Sequence, residues 1–437
     1  MKSKKDKVKI ITLGCSKNLV DSEFIMAQLN SNDIEIVEDE NKCNTVIINT
    51  CGFIESAKQE SIDTILKSVE NKRKGKIKNL FVAGCLSDRY KPELEKDIPE
   101  VDKYFGATDK KQTVISILKE LGVDYKKELL GERMVTTPGH FAYLKISEGC
   151  DNPCSFCAIP IMRGGHVSKP FNEIMVEAQK LASKGVKELI LIGQDTTYWG
   201  LDIENKRNLS KLINSISEIN GIEWIRLMYA YPSRFPMDLI EVMRDNDKVC
   251  KYIDIPIQHI SDNVLKSMRR GITKKSLINL LNTLRKEIPG IAIRTTLLTG
   301  YPSESEKDFI ELLDFVKEFG FDRLGVFPYS HEDGTNAAAL KDTVPQKEKL
   351  LRQKLLLEAQ KEISLMLNQK SVNKVLKVLI DRVENDYYIG RTYKDAPEID
   401  NEVYVDKDKK AVAGNFYNIK IYDFEEFDIF GSIDNKK

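Results

Sequence analysis

The sequence of 437 residues predicts an α/β protein in three parts: an amino-terminal α/β domain with a parallel sheet, a central partial (β/α) barrel of six units, and a small all-β barrel. Three observations predict it. Short apolar runs alternate with amphipathic helical stretches from residue 8 to about residue 370, the pattern of parallel strands joined by crossover helices. The first three of those runs each end at a cysteine: Cys15, Cys51 and Cys85. After about Ser371 the runs become short and alternating, with turn residues between them.

A chain of this length exceeds one ordinary core and can build several without a metal. Lys plus Arg and Asp plus Glu both total 67, so nothing global points to nucleic acid or to an anionic membrane. The opening MKSKKDKVKIITLGC has only a brief apolar run and no cleavage site, and no run of about 18 apolar residues follows. A cytoplasmic protein without a membrane partner is expected. In such a chain eight cysteines read as reduced metal ligands or catalytic groups rather than as a disulfide framework.

The first part, residues 6–122, carries VKIITLGC, NTVIINTC and NLFVAGC, each a buried-strand pattern, with helical SEFIMAQLN and ESIDTILKSVE after the first two. The cysteines stand thirty-six and thirty-four residues apart, close to one βαβ unit. Parallel sheets carry ligand sites outside their carboxyl ends, so the three converge on one crevice. The alternative is three small residues buried at strand ends.

The second part, residues 136–368, supplies AYLKISEGC, ELILIGQDT, WIRLMYA, YIDIPIQH, AIRTTLLTGYP and RLGVFPYS, with helical patterns such as NEIMVEAQKLASKG and KDFIELLDFVKEFG. Six units fall short of the eight that close a barrel, so an open one is expected, working at its strand carboxyl ends. PQKEKLLRQKLLLEAQKEISLMLNQK reads as a long charged helix leading away from it.

The third part, residues 369–437, has four strand patterns, VLKVLID, YYIGRTY, EVYVD and FYNIKIYDF, as in a small partner-binding barrel. Its closing YDFEEFDIF puts Asp423, Glu425, Glu426 and Asp428 together without a balancing base, the wrong sign for tracking RNA. Arg391, Lys394, Lys407, Lys409 and Lys410 form either a local basic patch or ordinary solvated surface.

The decisive stretch is EGCDNPCSFC, residues 148–157. Structural zinc takes four closed ligands, and this loop offers the three thiols of Cys150, Cys154 and Cys157 with unequal gaps; His166, nine residues on, leaves a Cys-Cys-Cys-His site open as an alternative. A cubane iron-sulfur cluster needs a thiolate on each of four irons, so three cysteines leave one iron free for a substrate. Cys-x3-Cys-x2-Cys after the first strand of a partial barrel resembles the radical S-adenosylmethionine (SAM) superfamily. The resemblance implies a [4Fe-4S] cluster whose open iron holds the amino and carboxylate groups of SAM and whose reduced form releases a 5′-deoxyadenosyl radical. Phe156 then shields the cluster, or packs as an ordinary aromatic. TLLTGYPSESEKDF resembles the glycine-containing SAM contact, with Gly300, Pro302 and Glu304 as candidates, and Gln194 and Asp195 lie at another strand end.

The order of parts resembles the methylthiotransferases over essentially the whole chain, and the last part resembles their TRAM domain. That implies a second [4Fe-4S] cluster on Cys15, Cys51 and Cys85 carrying the sulfur to be transferred, with SAM supplying both methyl group and radical. LGCSKNLVDSE, KISEGCDNPCSFCAIPIMRG, DIPIQHISDNVLKSMRRG and RTYKDAPEID resemble the branch that acts on a ribosomal protein. The transfer-RNA branch has Gly-Cys-Gln-Met-Asn where Gly14, Cys15, Ser16, Lys17 and Asn18 stand here. The implied substrate is the β-carbon of an aspartate in protein twelve of the small ribosomal subunit, free or on the ribosome, with an electron donor such as flavodoxin or ferredoxin. The rival readings are a tRNA adenosine methylthiotransferase, a non-catalytic electron carrier or ribosome-binding module, and a zinc protein. Cys43 and Cys250 read as structural, His259 as a contact or a structural histidine, and no residue stands out as a catalytic acid or base.

Overall fold

The structure, a computed structural model, describes residues 7–434; the expected outer bounds at residues 6 and 437 lie outside it. The first part runs β1 (Lys7–Thr12), α1 (Ser16–Ser31), β2 (Glu35–Ile36), β3 (Thr45–Thr50), α2 (Glu55–Arg73), β4 (Asn79–Gly84), α3 (Cys85–Asp97), β5 (Lys103–Tyr104) and α4 (Lys110–Glu120). The strands form one parallel sheet in the order β2-β1-β3-β4-β5. Successive side chains of a strand face opposite ways, so Ile47 and Phe81 pack into one core with Ile25 and Ile117, whereas Val46, Ile48 and Val82 pack into another with Ile65 and Leu86. The sequence patterns missed β2 and β5, which are two residues each, and α3, whose period is broken at Tyr90 ahead of Pro92.

The second part begins with β6 (Phe141–Lys145) and β7 (Ser147–Glu148), then α5 (Ile159–Arg163), β8 (Val167–Ser168) and α6 (Phe171–Ser183). It continues with β9 (Glu188–Ile192), α7 (Leu201–Glu204), α8 (Leu209–Ser217), β10 (Trp224–Leu227), α9 (Asp238–Asp245) and β11 (Val249–Asp254). The series closes with α10 (Asp262–Ser267), α11 (Lys274–Glu287), β12 (Ala292–Thr299), α12 (Glu306–Phe319) and β13 (Arg323–Pro328). All six long strands are parallel, in chain order β6-β9-β10-β11-β12-β13, and the sheet stays open.

The long charged helix, α13 (Gln346–Gln369), does not lead away. It packs on β13 and α12. Leu356, Ala359 and Ile363 are buried, and the side-chain amides of Gln353 and Gln360 donate to the carbonyls of Val326 (2.8 Å) and Phe321 (2.9 Å). The aliphatic stems of its charged residues let a polar sequence cover an edge strand.

The third part, β14 (Val375–Val383), β15 (Tyr387–Arg391), β16 (Val403–Asp406), β17 (Phe416–Phe424) and β18 (Ile429–Ile433), is a closed barrel with strand order β14-β15-β16-β18-β17. The fifth strand escaped the sequence reading because it follows the acidic run directly. One of the four acids in that run has a base: Lys361 of α13 pairs with Glu426 at 3.0 Å, and the Asn368 amide fixes the backbone by donating to the carbonyl of Glu425 at 2.9 Å.

RTYKDAPEID plugs the amino-terminal end of the large barrel, opposite the cysteine loop. Arg391, 2% exposed, donates to Glu188 (2.8 Å) and Asp381 (2.6 Å), while Arg226 joins Glu188 (2.7 Å) to the carbonyl of Tyr393 (2.7 Å). Arg323 reaches Asp395 at 2.9 Å, and the Tyr252 hydroxyl donates to Asp400 at 2.8 Å. Arg391 is therefore a buried strut and not part of a basic patch. Lys407 and Lys409 likewise donate to barrel carbonyls, those of Asn385 (3.0 Å) and Ile433 (2.6 Å).

Candidate functional site

Strands β1, β3 and β4 lie side by side in register, so the residues that follow them share one edge of the sheet. Cys51 and Cys85 follow their strands directly, and Cys15 precedes α1. Gly14 has φ +86°, and a β-carbon there would stand 2.7 Å from the β-carbon of Cys51, so only glycine lets the two loops meet. Asn18 clamps them, donating to the carbonyls of Leu13 (2.8 Å) and Thr50 (3.0 Å). Cys15 is exposed and the other two are buried; burial pushes the Cys51 thiol up to about 11 and raises Cys85 too.

The second cysteine loop lies beyond β7 at the mouth of the large barrel. The Cys154 sulfur accepts from the Arg270 guanidinium at 3.1 Å and lies 3.4 Å from the Tyr231 hydroxyl. Asn152 donates to the Cys150 sulfur (3.4 Å) and to Asp195 (2.8 Å), which ties the loop to the end of β9. Ser155 is held by the carbonyls of Met268 (3.0 Å) and Ser267 (2.9 Å) and by the hydroxyl of fully buried Tyr301 (2.8 Å). Burial pushes Cys150 to about 11 and Cys157 to about 12. Phe156 packs against Val264, Met268, Tyr301 and Tyr329.

Arg163, at the end of α5, joins the two sets. Its Nε donates to the Cys85 sulfur at 3.2 Å, and its other nitrogens reach Asp21 (2.8 Å), Glu148 (3.2 Å) and Asn18. Burial alone would raise Asp21, but Lys145, Lys110 and Arg163 hold its carboxyl well below the usual range. A second tie runs through Glu332: it pairs with Arg89 (2.7 Å) and Lys58 (3.3 Å), Arg89 also donates to Gly52 beside Cys51 (3.2 Å), and the same 330s loop donates from Ala337 to the Ser155 carbonyl (2.7 Å). Above the barrel mouth, the ammonium of Lys17 lies 3.0 Å from the ring centroid of Tyr229, a non-glycine residue at φ +58°. Lys17 is 7% exposed, and among the described residues no carboxylate lies within ion-pair distance of it.

Among the described residues no three His, Cys, Asp or Glu side chains close on a point where one metal ion would sit. A four-iron cluster makes a different demand, since each thiolate binds its own iron and the three stand further apart. Three free thiols on one edge, with an arginine donating to one sulfur of each set, suit an anionic thiolate-ligated cluster. His166, the fourth ligand of the zinc alternative, is turned to Ser168 at 3.1 Å and packs on Tyr198.

The residues expected to contact SAM divide. Gln194 donates to Glu148 at 2.7 Å, and its Oε1 is buried without a partner, an acceptor free for a ligand's amino group. The turn from Gly300 to Glu304 is engaged otherwise: Glu304 accepts from the backbone of Gly300 (2.6 Å) and Tyr301 (3.2 Å) and pairs with Arg352 of α13 (2.8 Å). A β-carbon on Gly300, at φ +70°, would stand 2.2 Å from Lys349, so the close approach of α13 requires glycine there. Pro302 accepts from Thr343 at its carbonyl (3.0 Å).

The same three parts appear when the chain is compared with known proteins. Residues 7–106 match the uncharacterized protein family UPF0004, residues 144–316 the radical SAM superfamily and residues 372–433 the TRAM domain. The ribosomal protein uS12 methylthiotransferase RimO of Cytophaga hutchinsonii is 54% identical over 99% of this chain and 98% of its own. The chain belongs to the RimO family. The RimO of Christiangramia forsetii is 53% identical over 98% of this chain and 94% of its own, and that of Chloroherpeton thalassium 53% over 99% and 100%. Among solved structures, the radical SAM methyltransferase TsrM from Kitasatospora setae superposes with a TM-score of 0.58 at 14% identity, covering 76% of this chain and 77% of that one. The cobalamin-dependent SAM radical enzyme OxsB gives 0.53, also at 14%, over 81% and 56%. At that identity both show the fold alone.

In this RimO-family chain sequence reading missed Arg163, Arg270, Tyr301 and Glu332, all of which hold the cysteine loops. Arg163 and Arg270 sit inside motifs that the sequence did single out, and only the fold shows what they reach. Cys43 and Cys250 are buried away from both sets, as expected. His259 is fully buried; it accepts at Nδ1 from the Ser261 N–H (3.0 Å), and its Nε2 has no partner among the described residues. Burial pushes its imidazole down to about 3, with Asp308 pulling up and Arg352 down. Because the unfolded chain takes up that proton near pH 6.5 and the native one does not, stability falls as pH drops below about 6.5, by up to about 1.4 kcal/mol per pH unit. Urea unfolding at pH 7 and 5.5 should show a shallower loss for His259→Gln; an unchanged slope would rule the histidine out.

Proposed function

We propose that this protein attaches a methylthio group to the β-carbon of an aspartate in ribosomal protein uS12, in the cytoplasm, using two [4Fe-4S] clusters and SAM. The observation that carries this reading is the pair of three-thiol sets at the carboxyl ends of two parallel sheets, joined by Arg163. Cys150, Cys154 and Cys157 ligate one cluster, and Cys15, Cys51 and Cys85 the other. When bound, these groups supply the radical, the sulfur and the methyl group.

The chain's own part is to position and to shield. The first domain presents the sulfur-bearing site, the barrel holds SAM in its mouth, and RTYKDAPEID of the third part plugs the opposite end. Gln194 Oε1 receives the amino group of SAM. The turn carrying Gly300 and Pro302, fixed by Glu304, backs the cysteine loop through Tyr301 and Ser155. Thiols raised by burial stay protonated at neutral pH, so loading the clusters releases protons. A flavodoxin or ferredoxin supplies the electron.

Lys17 favours aspartate over the adenosine of tRNA. A buried ammonium without a counter-ion is costly until an anion arrives, and a substrate aspartate brings one to the barrel mouth whereas adenine does not. With a uS12 peptide, Lys17→Met should raise KM by about tenfold or more, the worth of one charge-assisted hydrogen bond. It should also erase the preference for that peptide over its Asp→Asn counterpart. If the unaltered protein modifies both peptides equally, the carboxylate is not what is recognised.

A further inference from the structure

Outside the barrel mouth, the loop after β10 and the segment running from α10 into α11 enclose a groove of about 790 Å³. Its floor is apolar, formed by Pro232, Phe235, Met237, Leu265, Ile272 and Leu280. Its rim carries Arg234, Lys266 and Arg269, all exposed, and among the described residues none of the three makes an ion pair or a side-chain hydrogen bond. The acid in the groove, Asp262, is occupied by the backbone N–H of Lys274 at 2.6 Å. Three cations against the single carboxylate of Asp262 leave the groove with a net positive excess in a chain of zero net charge.

The wall of the groove is also the seat of the cysteine loop. Ser267 and Met268 hold Ser155 through their carbonyls, and Arg270, next to rim residue Arg269, donates to the Cys154 sulfur at 3.1 Å. On the other wall, Tyr231 touches both the Cys154 sulfur (3.4 Å) and the Arg270 carbonyl (3.0 Å), and Ser233 bonds Gly271 across the gap (2.7 Å). A protein seated in the groove is one residue from a cysteine of the second set.

We propose that this groove is the docking surface for an acidic, low-potential one-electron carrier protein, a proposal that rests on the cluster assignment to Cys150, Cys154 and Cys157. The step is a bare electron transfer: the reduced carrier loses one electron, the cluster goes from its 2+ to its 1+ state, and no atom moves. Charge complementarity selects the partner. A basic ribosomal protein is repelled by the rim, and an RNA backbone would use the cations but leave the apolar floor empty, whereas an acidic protein face with an apolar centre uses both.

The test uses flavodoxin as the carrier and a variant with Arg234→Glu, Lys266→Glu and Arg269→Glu. Calorimetric titration of flavodoxin into the cluster-loaded protein should show at least about tenfold weaker binding for the variant at low salt, a difference that shrinks at 0.5 M salt as screening removes steering. In the cluster-loaded proteins, SAM cleavage driven by reduced flavodoxin should fall correspondingly, while cleavage driven by dithionite stays the same. The single changes, Arg234→Gln and Arg269→Gln, should each show part of the effect. Unchanged binding and unchanged flavodoxin-driven cleavage would overturn the proposal, as would an equal fall with both reductants. A loss confined to binding of ribosomal RNA would overturn it in favour of an RNA contact. If the unaltered protein cleaves no SAM with dithionite, the cluster reading itself fails and takes the docking proposal with it.

Discussion

Cys154→Ala is expected to reduce SAM cleavage to background, whereas Cys51→Ala keeps a substantial part of it and transfers no sulfur. The two thiols lie in loops that follow different sheets. Cys154 lies under Arg270 and Tyr231 at the barrel mouth, and Cys51 packs against Gly14 in the first domain. Removing one of three thiolates from a cluster that already has an open iron leaves too few ligands to hold it. Each variant should therefore carry roughly half the iron of the unaltered protein, because each loses one of two four-iron sites. Counting 5′-deoxyadenosine, iron and methylthio product in parallel separates the roles. Equal loss of cleavage in both variants would contradict them.

Arg163→Met is expected to uncouple the first domain from the barrel. The guanidinium serves Asp21, Glu148, Asn18 and the Cys85 sulfur at once; without it Asp21 keeps Lys145 and Lys110, and Glu148 keeps Lys145 and the Gln194 amide. Breaking a buried network by removing one partner costs about 3–5 kcal/mol, because the carboxylates left behind are still out of water. Hydrogen exchange should rise at α5 and at the turn between β4 and α3, with much smaller changes in the TRAM-like barrel. Sulfur transfer should be lost while SAM cleavage survives. Retention of both exchange protection and sulfur transfer would show that Arg163 is not the coupling residue.

The sequence was most legible where local pattern and burial agree. Strands buried on both faces, such as TVIINT and ELILI, announce themselves as continuous apolar runs, and the order of the parts follows from them. Elements that fail this test were missed for stated reasons: α3 is interrupted by a kink and a proline, and β18 sits against charged residues. α13 was read as leaving the barrel because its charges hide the side that packs, and Arg391 as surface because its carboxylate partners are not its neighbours in sequence.

The site divides the same way. Both cysteine sets could be read from spacing and strand ends, but the residues that hold them lie far along the chain. Arg163 is 78 residues from Cys85, Arg270 is 116 from Cys154, Tyr301 is 146 from Ser155, and Glu332 is 243 from Arg89. No periodicity encodes such distances. Glu304, singled out from its motif, is held by the turn and by Arg352 of α13, partners that the motif does not encode.

The most direct measurement offers cluster-loaded, reduced protein both candidate substrates together, uS12 and tRNA, with SAM in excess, and follows each by mass spectrometry. A gain of one methylthio group on an aspartate of uS12, with tRNA unchanged, is the predicted result. Methylthiolation of tRNA adenosine with uS12 unchanged would contradict it.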